Sequence, residues 1–441
     1  MIEEGHSSVS RLTRKRKKMQ EGEGGEGDII GDLSLELLNQ DLLETVLSRL
    51  PTSAFFRLTS VCKRWRSVST SASFKLACSE VPARDPWFLM VGSSVASPDK
   101  SVIFDSVDRN WKQLDRPPLL GGKPDSIPVA SSGGLVCYRG ALDGDFTVCN
   151  PLMGSVREIP RPSLPCEARA GLHAIVMRSK PRPMQEQDPL FELIVVHGEF
   201  PRLFSTVFNS RTNTWGADVA LSRRIYGSVD SNFNSDSDSD SDFLEMNNEA
   251  ESVLYFLSKA GNVVAADMLR SPSKQYSSLL ISADGDGSGT VYFLSSSGTV
   301  VGCDLDRRSF FEYPRLLPFC SEYSIDVMEC RGGLAVAVLS EFLETASLRI
   351  WRFDDYGRTW VQTAAMPPSM SHEFYGKKMD INCVGSDDRV LICLSSGDVY
   401  RYILYDILAE EWVELPQCRM NGVVMEFSSA FSFEPRIEVS L

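Results

Sequence analysis

The 441-residue chain has few histidines, no long apolar run and an odd number of cysteines. Its apolar runs fall well short of the ~20 residues of a membrane helix, and its N-terminus is charged rather than apolar like a signal peptide. The eleven cysteines lie in apolar contexts without a Cys-x-x-Cys pair, which is typical of reduced thiols inside the cell. We therefore expect a protein of the nucleus, the cytoplasm or both, with no membrane contact.

Signatures of catalysis, metal binding and nucleic-acid binding are also missing. The sequence has no G-x-S-x-G elbow, P-loop or paired-carboxylate motif. Residues 284–289 imitate the start of an EF-hand loop, but Ser295 stands where that loop needs a bidentate glutamate. A net charge of −14 argues against direct nucleic-acid binding. We expect no enzyme, cofactor or metal. The four histidines lack metal-ligand spacing: His6, His173, His197 and His372.

Residues 38–65 have a helical pattern that one proline interrupts. Pro51 ends a first amphipathic helix, and a second begins after Thr52 or Ser53. A third helix opens at Val61, and its apolar side continues to Val68 and Phe74. Three short helices carry more apolar side chains than they can bury among themselves, so this unit needs a partner surface. The apolar side of the first helix consists of Leu42, Leu43, Val46, Leu47 and Leu50.

This segment resembles the F-box. The resemblance rests on an Asp-Leu-Leu opening, a Leu-Pro break and a Val-Cys-Lys-x-Trp signature. One departure is Leu38-Asn39, where the family usually has Leu-Pro, although Asn39 can still cap the helix. The resemblance implies docking to a Skp-family adaptor and, through it, to a cullin and a RING protein; a plain helical hairpin is the alternative. The residues it implies for adaptor binding are Leu42, Leu43, Val46, Leu47, Leu50, Pro51, Val61, Cys62, Lys63 and Trp65.

Two segments have compositions that disfavour a folded core. Residues 1–30 form a predicted disordered tail, in which the basic cluster at residues 14–18 is either a nuclear localisation signal or a solvated charged run. Residues 231–251 contain alternating serine and aspartate and predict a disordered acidic loop. That loop is either a kinase target or a plain solvated connection.

From residue 86 onward, short β-rich runs repeat with a period near 50 residues. An Asp or Asn ends one strand, and a large residue usually follows six positions later. We name the acidic or amide residues and their tryptophans blade anchors: Asp105, Trp111, Asn150, Asn209, Trp215, Asp267, Asp304, Asp354, Trp360, Asp406 and Trp412. The seven Asp and Asn positions are separated by 45, 59, 58, 37, 50 and 52 residues, near the ~50 residues of a kelch blade.

Each repeated unit is predicted to form a β-hairpin. Its Asp or Asn side chain makes hydrogen bonds to its own backbone at the turn. The returning strand presents a large residue to the neighbouring sheet. The pattern predicts a kelch-type β-propeller over residues 86–441, with seven blades favoured and six possible. Residues 427–439 are predicted to return and complete the first blade, so that the ring hides its sheet edges.

The fold class is therefore α+β multidomain: an all-α F-box of three short helices at residues 31–80, followed by an all-β propeller. Over residues 38–441 the chain resembles the plant F-box/kelch-repeat family (Unusual Floral Organs-like proteins). The resemblance implies a non-catalytic substrate-recognition subunit of an SCF-type ubiquitin ligase, whose propeller binds an unknown target protein for ubiquitination. The alternatives are a scaffold or transcriptional co-regulator acting without degradation, and a metalloenzyme on a propeller.

Overall fold

The computed structural model describes residues 39–92, 100–116, 126–140, 144–162, 171–179, 190–224, 255–257, 263–265, 278–282, 289–295, 298–316, 323–397 and 399–441. The predicted tail, the predicted acidic loop and the anchor Asp267 lie outside these residues. The chain divides into two compact units, Met1–Leu43 and Glu44–Leu441. Of the first unit, the structure describes only residues 39–43, which contain the start of the first helix.

From residue 39 onward, four short helices precede the first strand: α1 (Gln40–Ser48), α2 (Thr52–Leu58), α3 (Lys63–Val68) and α4 (Ala72–Ser79). Pro51 separates α1 from α2, as its sequence position predicts. The third predicted helix is instead two helices. Ser71 caps a new one, since its hydroxyl accepts the backbone N–H of Phe74 at 3.4 Å. The segment therefore contains four helices rather than three.

Within the second unit, the helices share a small core. The rings of Phe55 in α2 and Phe74 in α4 stack with their centroids 4.9 Å apart, and both residues are buried, as are Val68 and Cys78. Burial raises the pKa of the Cys78 thiol to about 11, so that this cysteine stays protonated at neutral pH.

Six antiparallel sheets follow, numbered here as blades 1 to 6. Blade 1 contains β1 (Trp87–Gly92), β2 (Lys100–Asp105), β3 (Asn110–Asp115) and the late strand β29 (Phe427–Phe433). Blade 2 contains β4 (Ser126–Ser132), β5 (Leu135–Gly140), β6 (Phe146–Cys149) and β7 (Val156–Ile159). Blade 3 contains β8 (Leu172–Ser179), β9 (Phe191–Glu199), β10 (Arg202–Asn209), β11 (Thr214–Trp215) and β12 (Val219–Arg223).

The second half of the chain supplies the other three blades. Blade 4 contains β15 (Ser278–Ser282), β16 (Gly289–Leu294), β17 (Val300–Asp304) and β18 (Ser309–Glu312). Blade 5 contains β19 (Tyr323–Cys330), β20 (Gly333–Phe342), β21 (Thr345–Asp354) and β22 (Thr359–Ala365), followed by α5 (Pro368–Ser371) and a 3-10 turn (His372–Phe374). Blade 6 contains β23 (Asp380–Ser386), β24 (Arg389–Ser396), β25 (Val399–Asp406) and β26 (Glu411–Glu414).

The innermost strands of the six blades close a ring. In blade order these are β29, β4, β8, β15, β19 and β23; each packs against the next, and β23 packs against β29. β29 pairs antiparallel with β1, and Trp87 lies opposite Phe433. The C-terminal strand therefore completes the first blade, as predicted from the sequence. Ring closure of this kind defines a β-propeller.

The described strands form six blades, the alternative to the favoured seven. The additional hairpin consists of β13 (Tyr255–Leu257) and β14 (Val263–Ala265), which pair with each other and with no other described strand. A second small hairpin consists of β27 (Arg419–Met420) and β28 (Val423–Val424). The repeated strand-turn-strand motif reports a hairpin, and a hairpin can lie outside a blade. Counting anchors therefore overestimated the number of blades.

Blades 3 and 4 are joined at their outer edges. β12 pairs antiparallel with β10 and, in parallel, with β18 of the next blade. The backbone N–H groups of Ser222 and Arg224 donate to the carbonyls of Arg308 and Phe310 at 2.9 and 2.8 Å. The edge of β18 is therefore covered by a strand from its neighbour.

The Asp and Asn anchors lie where the third strand of each blade ends. Asp105 accepts the backbone N–H groups of Val107 and Asp108 at 2.9 and 3.0 Å. These short side chain–backbone bonds make the chain reverse at the same point in every blade. The corresponding residues in the other five blades accept backbone N–H groups two or three positions ahead: Asn150, Asn209, Asp304, Asp354 and Asp406.

Three anchor tryptophans bond their blade to the preceding one. The indole N–H groups of Trp111, Trp215 and Trp360 donate to the backbone carbonyls of Pro416, Pro160 and Pro314 at 2.9, 2.6 and 2.7 Å. Each proline follows the outermost strand of the preceding blade. In blade 6, Trp412 instead stacks on Tyr405 with the ring centroids 4.2 Å apart. The tryptophans thus connect the blades around the rim.

Candidate functional site

Helix α1 places its predicted apolar residues on two faces. Leu42 and Val46, four residues apart, are exposed, and 53% of Val46 is accessible. Leu43 and Leu47, also four residues apart, are buried. Since residues four apart lie on one helix face, the side predicted as a single apolar surface is divided into an exposed ridge and a buried one.

The connection between α2 and α3 carries a further exposed apolar residue. Val61 is 68% accessible, and Cys62 and Lys63 beside it are exposed. The Cys62 sulfur accepts the backbone N–H of Trp65 at 3.4 Å and caps α3, while Trp65 itself is half-buried. The Val-Cys-Lys-x-Trp signature thus combines a helix cap with a valine left in solvent.

Leu50 and Pro51 lie in different surroundings from the exposed residues of α1. Arg84 donates to the backbone carbonyls of Leu50 and Ser48 at 3.3 and 2.9 Å. The Leu-Pro break therefore takes part in the junction between the helices and blade 1. Leu50, Pro51 and Arg84 line a cavity of about 80 Å³. Its other walls include Trp87, Asp105 and Pro435.

Two further exposed apolar residues, Phe56 in α2 and Leu76 in α4, lie outside the set predicted for adaptor binding. Phe56 follows the buried Phe55, and Leu76 follows the buried Phe74 by two positions. Neighbouring apolar residues on so short a helix cannot all face one core, which is the signal that would have identified them. We refer to Val46, Phe56, Val61 and Leu76 as the exposed F-box set.

A C-terminal segment, residues 434–439, joins the helices to the propeller. Arg436 is fully buried and donates to the carbonyls of Val81 and Pro82, in the connection after α4, at 3.1 and 2.7 Å. It also pairs with the carboxylates of Glu434 and Glu438 at 2.7 and 3.0 Å. Four partners thus hold one guanidinium, which fits its planar set of donors.

Three more hydrogen bonds fix the same segment. Thr52 at the start of α2 donates to the carbonyl of Pro435 at 2.8 Å. The anchor Asn150 donates from its amide to the carbonyls of Arg436 and Val439 at 2.9 and 2.7 Å. These partners are separated by 286 to 383 positions, so no local sequence pattern could have revealed the role of Arg436.

An ion pair connects α2 with blade 1. The guanidinium of Arg57 lies 3.2 Å from the carboxylate of Asp108, which Lys112 also approaches at 2.5 Å. The hydrogen bond from Lys112, together with its charge and that of Arg57, lowers the pKa of Asp108 below its ordinary value of 3.8. The junction therefore depends on a carboxylate that stays ionised.

The inner strands enclose a central cavity of about 440 Å³. The buried Asp326 on its wall accepts the backbone N–H groups of Val327 and Cys383 at 2.9 and 2.7 Å, so this carboxylate bonds one blade to the next. Small hydroxyl side chains make up much of the lining, among them Ser131, Ser132, Ser179, Ser278, Ser282 and Ser429.

Metal-binding geometry is absent from the described part of the chain, where no three His, Cys, Asp or Glu side chains are arranged to hold an ion. Two of the histidines make hydrogen bonds inside blade 3: His173 with the carbonyl of Gly198 at 2.8 Å, and His197 with the hydroxyl of Thr206 at 3.0 Å. Among the same described residues, no helix has the length and apolar character needed to cross a membrane.

Comparisons with known proteins match both parts of this architecture. The F-box domain model matches residues 35–77. F-box only protein 13 of Arabidopsis thaliana is 47% identical over 436 residues, covering 97% of this chain and 90% of that protein. Protein UNUSUAL FLORAL ORGANS of Arabidopsis thaliana is 25% identical, covering 86% of this chain and 78% of that protein.

Among solved structures, a six-bladed propeller lectin of Aleuria aurantia aligns with 75% of this chain and 91% of its own, with 10% identity and a TM-score of 0.36. The sequence relationship is the informative one, because it extends over the helices and the blades alike. F-box proteins are generally substrate adaptors of SCF ubiquitin ligases and are typically non-catalytic. With nearly half of its residues shared with F-box only protein 13 along almost its whole length, this chain belongs to the plant F-box protein family.

Proposed function

We propose that this protein is the substrate-recognition subunit of an SCF-type ubiquitin ligase. Its helices dock a Skp-family adaptor, which brings a cullin and a RING protein, and its propeller binds a target protein. The observation that carries the proposal is the exposed F-box set, which lies within the residues that match the F-box domain model. Large apolar side chains left in solvent on short helices are typical of an interface that a partner covers.

The contribution of the chain to ubiquitin transfer is proximity. A target held on the propeller has its lysines at a high effective concentration near the conjugating enzyme that the RING protein recruits. That effect needs a fixed distance between the two binding surfaces. The buried contacts of Arg436 and the ion pair of Asp108 supply a defined junction between helices and blades.

Adaptor binding is tested by placing a charge in the exposed F-box set. Val61→Asp should weaken binding to the purified adaptor at least tenfold, because a carboxylate would be buried against apolar surface. The matched control is Leu408→Asp, an equally exposed apolar residue in a turn of blade 6. Isothermal titration calorimetry measures the affinity of both variants for the adaptor. Wild-type affinity in Val61→Asp would refute the docking surface.

The thiol of Cys62 provides a second test of the same surface. Of the nine cysteines that the structure describes, Cys62 is exposed and the other eight are buried. In a Cys166→Ser, Cys320→Ser background, a maleimide should label Cys62 quickly in the free protein and about tenfold more slowly in the adaptor complex. An unchanged labelling rate would place the adaptor elsewhere.

We further propose that the protein acts in the nucleus, the cytoplasm or both. The basic cluster at residues 14–18, outside the described residues, supports nuclear import. Replacing the cluster with alanines should reduce the nuclear fraction of a fluorescent fusion. An unchanged distribution on imaging would leave the cluster without an import role.

A further inference from the structure

Exposed large apolar side chains concentrate on one blade of the propeller. Among the described residues after the helices, ten such side chains are exposed, and five of them belong to blade 5 or the connection that follows it. We name these five the blade-5 strip: Phe342, Leu343, Tyr356, Val361 and Tyr375. Six similar blades would be expected to expose similar numbers of apolar side chains. A binding surface on blade 5 explains why they concentrate there.

The tip of the β20–β21 hairpin is a strongly exposed part of the strip. Leu343 is 78% accessible, and Leu343 and Glu344 have φ angles of 45° and 62°, where a glycine or asparagine is the usual choice. The backbone N–H of Gly376 donates to the Glu341 carboxylate at 3.1 Å, which places Tyr375 beside this tip. A bulky apolar residue in a strained turn is unfavourable for folding alone and indicates another role.

The outer strand of blade 5 is also unprotected. β22 pairs with β21 on one side and with no described strand on the other, and it contains no charged residue and no proline. Edge strands normally carry such residues to prevent pairing with another chain. Its counterparts do: β3 contains Lys112, and β26 has a glutamate at each end. The register shifts opposite Ile350 and Trp351 of β21, where Thr363 of β22 is left unpaired, and residues 359–362 of β22 remain the regular run.

This propeller already contains one example of strand addition at an outer edge. β12 lies along β18 in parallel and makes two backbone hydrogen bonds to it, at 2.9 and 2.8 Å. The outer edge of a blade here therefore accepts an extended segment from outside its own sheet. β22 is the neighbouring outer edge, and it offers the same backbone groups without a described strand to cover them.

We propose that blade 5 docks the target protein, and that an extended, uncharged, apolar segment of the target adds as a strand to the outer edge of β22. Backbone hydrogen bonds recognise the extended chain, and the blade-5 strip accepts its apolar side chains. β21 has ten residues, so a segment of about ten residues, or ~33 Å, would reach from the turn at Tyr356 to the tip at Leu343. This inference rests on the proposed function.

The test uses peptides selected against the full chain. A phage-displayed library of linear 12-residue peptides is selected on the purified protein, and the enriched peptide is measured by fluorescence anisotropy. Val361→Lys should weaken its binding at least tenfold, and Phe342→Ser with Leu343→Ser should weaken it several-fold. Val413→Lys is the matched control, because Val413 follows Trp412 in β26 as Val361 follows Trp360 in β22. The peptide should also slow amide exchange in residues 359–363.

Three results would overturn the proposal: no enriched peptide, a peptide whose affinity is the same for Val361→Lys and Val413→Lys, or a dimer that Val361→Lys dissociates. The last result would assign the edge to a second copy of the chain. Thermal midpoints of all variants, kept within a few degrees of wild type, separate lost binding from lost folding. Adaptor binding is measured on the same proteins, so that failure of the ligase assignment is distinguished from failure of the docking edge.

Discussion

Asp108 shows how much a single carboxylate contributes to the junction of this molecule. It receives Arg57 from α2 and Lys112 from β3, and it lies in the turn that Asp105 starts. The sequence identified Asp105 because its acceptor and donors lie within three positions of each other. It did not identify Asp108, whose partner Arg57 is 51 positions away.

The lowered pKa of Asp108 predicts a pH-dependent contribution to stability. Because its folded-state pKa is below the ordinary 3.8, the contribution is complete above that value and is lost as the pH falls through the folded-state pKa. Asp108→Asn should therefore lower stability at pH 7 by up to about 1 kcal/mol, a small effect because Arg57 is largely exposed. The difference between variant and wild type should shrink as the pH falls below 3.8.

Thermal unfolding followed by circular dichroism across pH 3 to 7 measures this prediction. Asp115→Asn is the control, since Asp115 pairs with Lys100 on a strongly exposed side chain and should have almost no effect. A stability difference for Asp108→Asn that stays constant with pH would show that the carboxylate charge is not involved.

At the scale of elements, the sequence predicted what local bonds determine. The turns at the Asp and Asn anchors, the break at Pro51 and the return of the C-terminal strand all follow from residues close together or from a simple repeat. The capping of α4 by Ser71 was missed because serine-rich turns are ambiguous in sequence. The parallel pairing of β12 with β18 was missed for another reason. It joins Ser222 to Ser309, which are far apart in the sequence, and no repeated motif indicates this pairing.

The C-terminal segment is the element whose role sequence could least reveal, and Arg436 is its testable residue. Arg436→Gln should destabilise the protein by about 3 kcal/mol, because the carboxylate of Glu434 and the buried carboxylate of Glu438 would lose their cation. Urea unfolding measures the loss. Arg436→Lys keeps the positive charge without the planar donors. Its stability should therefore lie between those of the wild type and Arg436→Gln.

Trypsin cleavage after Arg84 gives an independent reading of the same junction. Arg84 is half-buried and bonded to the carbonyls of Ser48 and Leu50, so the wild-type bond should be cut slowly. Arg436→Gln should be cut several-fold faster, since the connection before β1 loses its hydrogen bonds. Equal cleavage rates with equal urea midpoints would show that the guanidinium does not hold this connection.

At the scale of the whole molecule, the chain closes its ring with its last strand. β29 pairs with β1, and Phe433 meets Trp87 edge-to-face with ring centroids 6.2 Å apart. The same strand contacts blade 6 through β23 and blade 2 through β4. The blade number was harder to predict than this closure, because a repeat of hairpins constrains each unit but not the total that the ring contains.

Ring closure predicts different outcomes for two C-terminal truncations. Removing residues 434–441 leaves β29 in place and should keep cooperative unfolding, while the junction with the helices becomes susceptible to trypsin. Removing residues 427–441 also takes away the inner strand of blade 1, exposes the edge of β1 and buried residues such as Phe88, and should abolish cooperative unfolding. A synthetic peptide of residues 427–441 added in trans should restore the transition, as measured by calorimetry. If the longer truncation unfolded with the wild-type enthalpy, β29 would be a terminal addition to a ring that is stable without it.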